Sequence, residues 1–376
     1  MLQIVLALTL LLSLSAAEHK AVIPSNGAKP GGPYSPGIIA GNHLYVAGQG
    51  PRSSAGITPV DFSGQARQSL ENVKAIDEAA GFNMKQLAYT QIYLSDINNL
   101  DAFDKVWREY FPANPPARAI LAVSALPAGM IQINAVAAKQ PQHSSAGTRS
   151  DERFFVSGIF ANSTEAAFVQ LSKALQTAGL GLEHLAFVNV YIDPSISYQT
   201  MSAEYGKHFE KGNAPARATY TVAQLPRSAH IEITGVAVTD LRFRKVVRPR
   251  NMAPSNTSSP CVWAGETLYC SSKSGFIPGI NGGIWAQSVE DQVRQSFRNL
   301  LDGLEEAGLN LSHVVATTVA LDQVDDFARM NATYSKYFTQ TPPSRSTIQP
   351  AASVDRKQNE MGQWPKLEEI SIIAVR

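Results

Sequence analysis

Three stretches of the chain hold the same residue types at nearly the same intervals, and this repetition limits the fold more than any other feature. "EAAGF", "QTAGL" and "EEAGL" each close a helical pattern on a glycine, Gly81, Gly179 and Gly308, where the residue that ends a helix belongs. Thirty residues after each glycine stands a phenylalanine (Phe111, Phe209, Phe338), and seven or eight residues later an arginine (Arg118, Arg217, Arg345). A fixed period of this kind marks a repeated supersecondary unit. At 376 residues the chain has room for two or three domains.

The periodicity inside each copy is consistent. A first helix places Ala66, Leu70 and Val73 on one face, then Phe168, Leu171 and Leu175, then Val293, Phe297 and Leu300. The β-rich runs "LAYTQIYL", "LAFVNVYI" and "VVATTVAL" follow, and a second helix ends at the phenylalanine. The arginine then opens a further pair of strands. Upstream, "GIIAGNHLYVAG" and "CVWAGETLYCSS" read as hairpins, whereas the middle copy keeps only "RFFVSGI" clearly. The unit is β-β-α-β-α-β-β, an α+β layer with helices on one sheet face. The copies are expected at 20–142, 143–241 and 246–376. "KQPQHSSAGTRSD" (139–151) and the basic "RFRKVVRPRNMAPSNTSS" (242–259) read as linkers, and 353–366 as an inserted loop.

The first seventeen residues, "MLQIVLALTLLLSLSAA", carry no charge. Their apolar run is too short to span a bilayer, and Ser15-Ala16-Ala17 offers a cleavage site. The segment 1–17 reads as a signal peptide for a secreted or periplasmic protein, with an uncleaved anchor as the competing reading. Both cysteines lie in "SPCVWAGETLYCSS". With Gly265-Glu266 as a two-residue turn, Cys261 falls opposite Cys270 at a non-hydrogen-bonded pair, where alpha carbons are about 4.5 Å apart. That spacing and an oxidising compartment favour a disulfide, against two free thiols.

Lysine and arginine (32) nearly balance aspartate and glutamate (31), for a net charge of +1. The chain as a whole offers no basic surface for a phosphate backbone, so no nucleic-acid partner is expected. Seven scattered histidines and two hairpin cysteines give no metal-ligand spacing. The segment "NAPARATYTVAQLPRSAHIEITGVAV" (213–238) reads as two neighbouring strands joined by a turn at Leu225-Pro226. Arg217 on the first and Glu232 on the second form either an internal ion pair or a site.

"GPYSPGIIAGNHLYVAGQGP", "QARQSLENVKAIDEAAG", "PPARAILAVSALP", "HIEITGVAV" and "MNATYSKYF" resemble motifs of the RidA/YjgF family. These are small imine and enamine deaminases with the older name endoribonuclease L-PSP, and the resemblance runs from about residue 24 to the end. Members are single-unit chains that assemble as homotrimers with active sites between subunits. The resemblance therefore implies a chorismate-mutase-like fold in which three tandem copies form an intramolecular pseudo-trimer, sheets inside and helices outside, working as a monomer. It also implies that the arginine of "PAR" holds a substrate carboxylate and that the glutamate of the last strand positions water.

Carried over residue by residue, the resemblance points to Arg118, Arg217 and Arg345 for carboxylate binding and to Glu232 and Glu369 for the water. Gln132 takes the glutamate position in the first copy. Tyr34 matches the family's tyrosine, replaced by Ser258 in the third copy, and Asn331 its asparagine, replaced by Asp104 and Ser202 elsewhere. A guanidinium pairs bidentately with a carboxylate, and a carboxylate near an imine carbon orients water and stabilises the protonated nitrogen. Glutamine can hold water but cannot act as a carboxylate base. Positioning does most of this chemistry, so no cofactor is expected. The expected arrangement is one competent site around Arg217 and Glu232, a weaker one at Arg345 with Glu369, and a binding pocket at Arg118. The expected function is hydrolysis of small 2-imino or enamino acids to ammonia and a keto acid. A noncatalytic carboxylate-binding protein and an endoribonuclease are the competing readings.

Overall fold

The computed structural model describes residues 19–279 and 282–376. The apolar leader over residues 1–17 lies outside the described residues. Each third of the chain builds one six-stranded sheet. In the first, β1 (Lys20–Val22), β2 (Gly37–Ala40), β3 (His43–Gln49), β4 (Leu87–Leu94), β5 (Ala117–Ala122) and β6 (Ile131–Ala138) lie in the order β1-β2-β3-β6-β4-β5. Helices α1 (Phe62–Ala79) and α2 (Leu100–Tyr110) cover one face.

The second sheet repeats this with β7 (Gln142–His143), β8 (Gly147–Ser150), β9 (Arg153–Ala161), β10 (Leu185–Ile192), β11 (Ala216–Thr221) and β12 (Ile231–Val238), beside α3 (Thr164–Thr177) and α4 (Tyr198–Tyr205). The third uses β13 (Arg244–Val247), β14 (Cys261–Ala264), β15 (Thr267–Lys273), β18 (Val314–Leu321), β19 (Ser344–Ile348) and β20 (Glu368–Val375). A small hairpin, β16 (Phe276–Ile277) with β17 (Ile284–Trp285), precedes α5 (Val289–Glu306), and α6 (Phe327–Tyr334) follows β18.

Local chemistry explains the helices. Asp61, Ser163 and Ser288 cap α1, α3 and α5 by accepting the N–H of Gly64, Ala166 and Asp291. Gly81, Gly179 and Gly308 leave them at φ near 79°, 73° and 75°, a left-handed conformation that favours glycine. The apolar stripes of α1, α3 and α5 are buried against their own sheets.

Two sequence expectations need correction. Residues 213–238 are not a hairpin: β10 lies between β11 and β12, and β11 runs parallel to β10. The intervening α4 reverses the chain, so a crossover replaces the local turn. An ion pair between adjacent strands is therefore excluded for Arg217 and Glu232. The two stretches read as linkers also carry strands. β7, β8 and β13 arise there, with β7 and β13 at sheet edges as β1 is in the first repeat. Main-chain pairing holds them, which polar composition conceals; Thr148 of β8 is fully buried and accepts the Ala117 N–H at 3.0 Å.

The other faces of the three sheets meet in one central core that includes Tyr93, Leu121, Phe187, Tyr191, Tyr269 and Ile348. β5 packs on β9, β11 on β15, and β19 returns to β3. The third repeat thus closes on the first. The chain is a ring of three α+β units, sheets inside and helices outside. Cys261 pairs with Cys270 across the β14–β15 hairpin, and their sulfurs are joined, with Cα atoms 4.0 Å apart. Among the described residues no helix is long and apolar enough to cross a membrane.

Candidate active site between repeats

Sheet alternation decides which functional residues can meet. Arg217 pairs with Val188, which belongs to the helix-facing core, whereas Glu232 pairs with Tyr191, in the central core. Paired residues share a face, and residues three apart do not. Arg217 and Glu232 therefore leave opposite faces of one sheet, and the expected site built from the two does not form. Each arginine instead rests on the second helix of its own repeat. Each glutamate position turns inward, toward the strand that carries the preceding repeat's arginine. Three clefts result, each shared by two repeats.

In the cleft between the first and second repeats, Arg118 meets Glu232. The Arg118 Nη1 donates to Asp104 Oδ1 at 2.8 Å, and the guanidinium lies over Trp107. Its charge already has a carboxylate partner. Glu232 is fully buried. Its Oε1 accepts the Ile120 N–H at 3.2 Å, and its Oε2 has no partner. Burial pushes its carboxyl well above the usual range, against the pull of the Ile120 hydrogen bond and the Arg118 charge, so it favours the neutral acid.

In the cleft between the second and third repeats, Arg217 and Glu369 line one opening. Arg217 Nη2 donates to the Tyr198 hydroxyl and to Ser202 Oγ, both at 3.0 Å. The guanidinium lies 4.7 Å from the Tyr205 ring centroid. Neither hydroxyl cancels its charge. Glu369 accepts hydrogen bonds from Ser272 and from Lys366 Nζ, the latter at 2.7 Å.

In the cleft between the third and first repeats, Arg345 meets Gln132. Arg345 lies over the rings of Tyr34, Phe327 and Tyr334. Its buried Nη2 has no hydrogen-bond partner, nor does Asn331 Oδ1; both line the space beside Gly32. Gln132 donates from Nε2 to the Thr347 carbonyl at 3.1 Å. Gln132 and Glu232 thus reach corresponding places, two residues beyond an arginine: the amide donates to a carbonyl and the carboxyl accepts from an N–H. Tyr34, Arg345 and Asn331, which come from two different repeats, are brought together here without a glutamate.

The sequence reading missed Ser272, Lys366 and the anionic partner role of Asp104. Aligning "LYVAGQ", "FFVSGI" and "LYCSSK" would have found the first. Gly48 and Gly158 occupy that position elsewhere, and a Cβ there would lie 2.3 Å from Gln132 Oε1 or 2.2 Å from Glu232 Oε1. In the third repeat the side chain is a serine, and it donates to Glu369.

The family model described as endoribonuclease L-PSP matches this chain three times, over residues 25–139, 144–239 and 249–361. The chain belongs to the endoribonuclease L-PSP family. Among its L-PSP relatives is a RutC family protein of Pyrococcus horikoshii, 41% identical over 124 residues, covering 32% of this chain and 98% of the relative. The 2-iminobutanoate/2-iminopropanoate deaminase of Escherichia coli K12 is 35% identical over 126 residues, covering 32% and 98%. The crystal structure of the E. coli YjgF gene product is 35% identical and covers 32% of this chain and 99% of its own, with a TM-score of 0.32. Each relative thus corresponds to one third of this L-PSP chain, and imine deamination is an activity found in the family.

Proposed function

We propose that this protein is a hydrolytic deaminase of small 2-imino or enamino acids, working in the cleft between the second and third repeats. The observation that carries the reading is that Arg217 has hydroxyl and thioether partners but, among the described residues, no carboxylate partner, and shares its cleft with Glu369. A substrate carboxylate would complete the Arg217 fork. Glu369 would orient water toward the imine carbon and take its proton as the C–O bond forms. Returning that proton to nitrogen lets the C–N bond break, so imino acid and water become keto acid and ammonia. Hydrogen bonds from Ser272 and Lys366 hold the Glu369 carboxylate in position.

The other two clefts lack one half of this pair. Arg118 is already neutralised by Asp104, and Glu232 is biased toward its protonated form. Arg345 faces an amide, which supports a second role there: binding a carboxylate without hydrolysing its neighbour. Ammonia release from a freshly generated imino acid tests the assignment. Arg217→Ala and Glu369→Gln are each expected to lower kcat/KM by about 100-fold or more. Glu232→Gln should stay within a few fold of wild type. Full activity in both of the first two variants would refute the proposal, and RNA cleavage that co-purifies with the chain and is lost in Arg217→Ala would replace it.

A further inference from the structure

The most unusual charge in the molecule lies outside all three clefts. Arg153 begins β9 and is only 1% exposed. The equivalent positions in the other repeats, by the alignment of "HLYV", "RFFV" and "TLYC", are His43 and Thr267. Arg153 Nη1 donates to the hydroxyls of Tyr45 and Tyr269, at 3.2 and 3.0 Å, and its Nε has no partner. Among the described residues no carboxylate pairs with it. The adjacent acids turn elsewhere: Asp151 approaches His43 at 3.8 Å, and the Glu152 carboxylate lies against Gly265.

Burying a guanidinium without a counter-charge is expensive, and arginine cannot escape by losing its proton. A tyrosinate does not supply the charge: burial holds the Tyr269 hydroxyl at about 12, although Arg153 pulls it down. Each tyrosine oxygen that accepts from Arg153 still has its own proton to donate. Tyr45 and Tyr269 also line a cavity of about 100 Å³ walled by residues of all three repeats, among them Gln91, Asn134, Asn189 and Thr234. Gln91 Nε2 is buried there without a partner.

We propose that the Tyr45 and Tyr269 hydroxyls, with Arg153 behind them, bind a small monovalent anion, a halide or a short carboxylate, in the cavity at the junction of the three repeats. The anion supplies the missing counter-charge across the two hydroxyls and locks the ring, because the cavity wall comes from every repeat. The site is independent of the catalytic assignment, since none of its residues lines the Arg217–Glu369 cleft.

Thermal unfolding of the full chain at constant ionic strength tests it, with chloride or formate replacing a bulky anion such as gluconate. Wild type is expected to gain about 2 °C in Tm for each tenfold rise in the small anion. Arg153→Met should abolish that dependence. A response to chloride alone would identify a halide site, and one to formate as well a site that also takes carboxylates. Should Arg153→Met fail to fold, bromide-soaked wild-type crystals decide: an anomalous peak in the cavity within hydrogen-bonding distance of the Tyr45 or Tyr269 hydroxyl supports the site. An anion-independent wild-type Tm, or no such peak, overturns it.

Discussion

Asp104, Ser202 and Asn331 occupy one helical position in the three repeats, and that single choice sets the state of the neighbouring arginine. Asp104→Asn should free Arg118 from its ion pair. Titration calorimetry with a short 2-keto acid is expected to show one more binding site than wild type; an unchanged stoichiometry would mean that Asp104 does not block that cleft. A second residue prediction concerns Glu368, whose carboxyl is pushed up to about 8 by burial, against hydrogen bonds from Ser296 and the Gly275 N–H. Between the ordinary value of 4.5 and about 8 the folded chain keeps this proton while the unfolded chain releases it. The contribution to stability is therefore complete at low pH and is lost as pH rises through that window. Urea midpoints from pH 5 to 8 should decline less in Glu368→Gln than in wild type. At this scale the sequence pointed to residue types: Arg118, Arg217, Arg345, Glu369, Tyr34 and Gln132 line openings in the structure. Which residues share a cleft was hidden, because Arg217 and Glu369 line one opening yet stand 152 positions apart in the chain.

Elements show the same division between local and distant information. The β14–β15 register was legible because Gly265-Glu266 fixes the turn and the turn fixes the Cys261–Cys270 pair. Reduction of that bond should lower stability by about 2 kcal/mol, measured by urea unfolding with and without reductant; equal midpoints would show that it contributes nothing. The order β11-β10-β12 was not legible, since a proline-containing turn between two strand patterns looks like a hairpin until the α4 crossover is taken into account. Strand β9 must also admit the Glu232 carboxylate, and Gly158 provides the space. Gly158→Ala is expected to cost about 1–3 kcal/mol by overpacking. Retained wild-type stability would mean that the carboxylate moves aside freely.

The whole molecule turns three similar units into three unequal clefts. Because β19 of the last repeat packs on β3 of the first, the ring closes within one chain, and tethering makes its assembly unimolecular. Specific activity should stay constant on dilution far below the concentrations at which separate subunits would dissociate, as an ammonia assay across a dilution series would show. The triple period gave three units, and the resemblance to single-unit chains that assemble as trimers implied the ring. It could not reveal that each cleft borrows its glutamate position from the following repeat, which depends on the face of the sheet that each side chain leaves. The most direct test is a pair of double-mutant cycles on kcat/KM for imino-acid hydrolysis. The effects of Arg217→Ala and Glu369→Gln should be non-multiplicative by about tenfold or more, while those of Arg217→Ala and Glu232→Gln multiply. Strong coupling between 217 and 232, with independence of 217 and 369, would contradict a site shared between repeats.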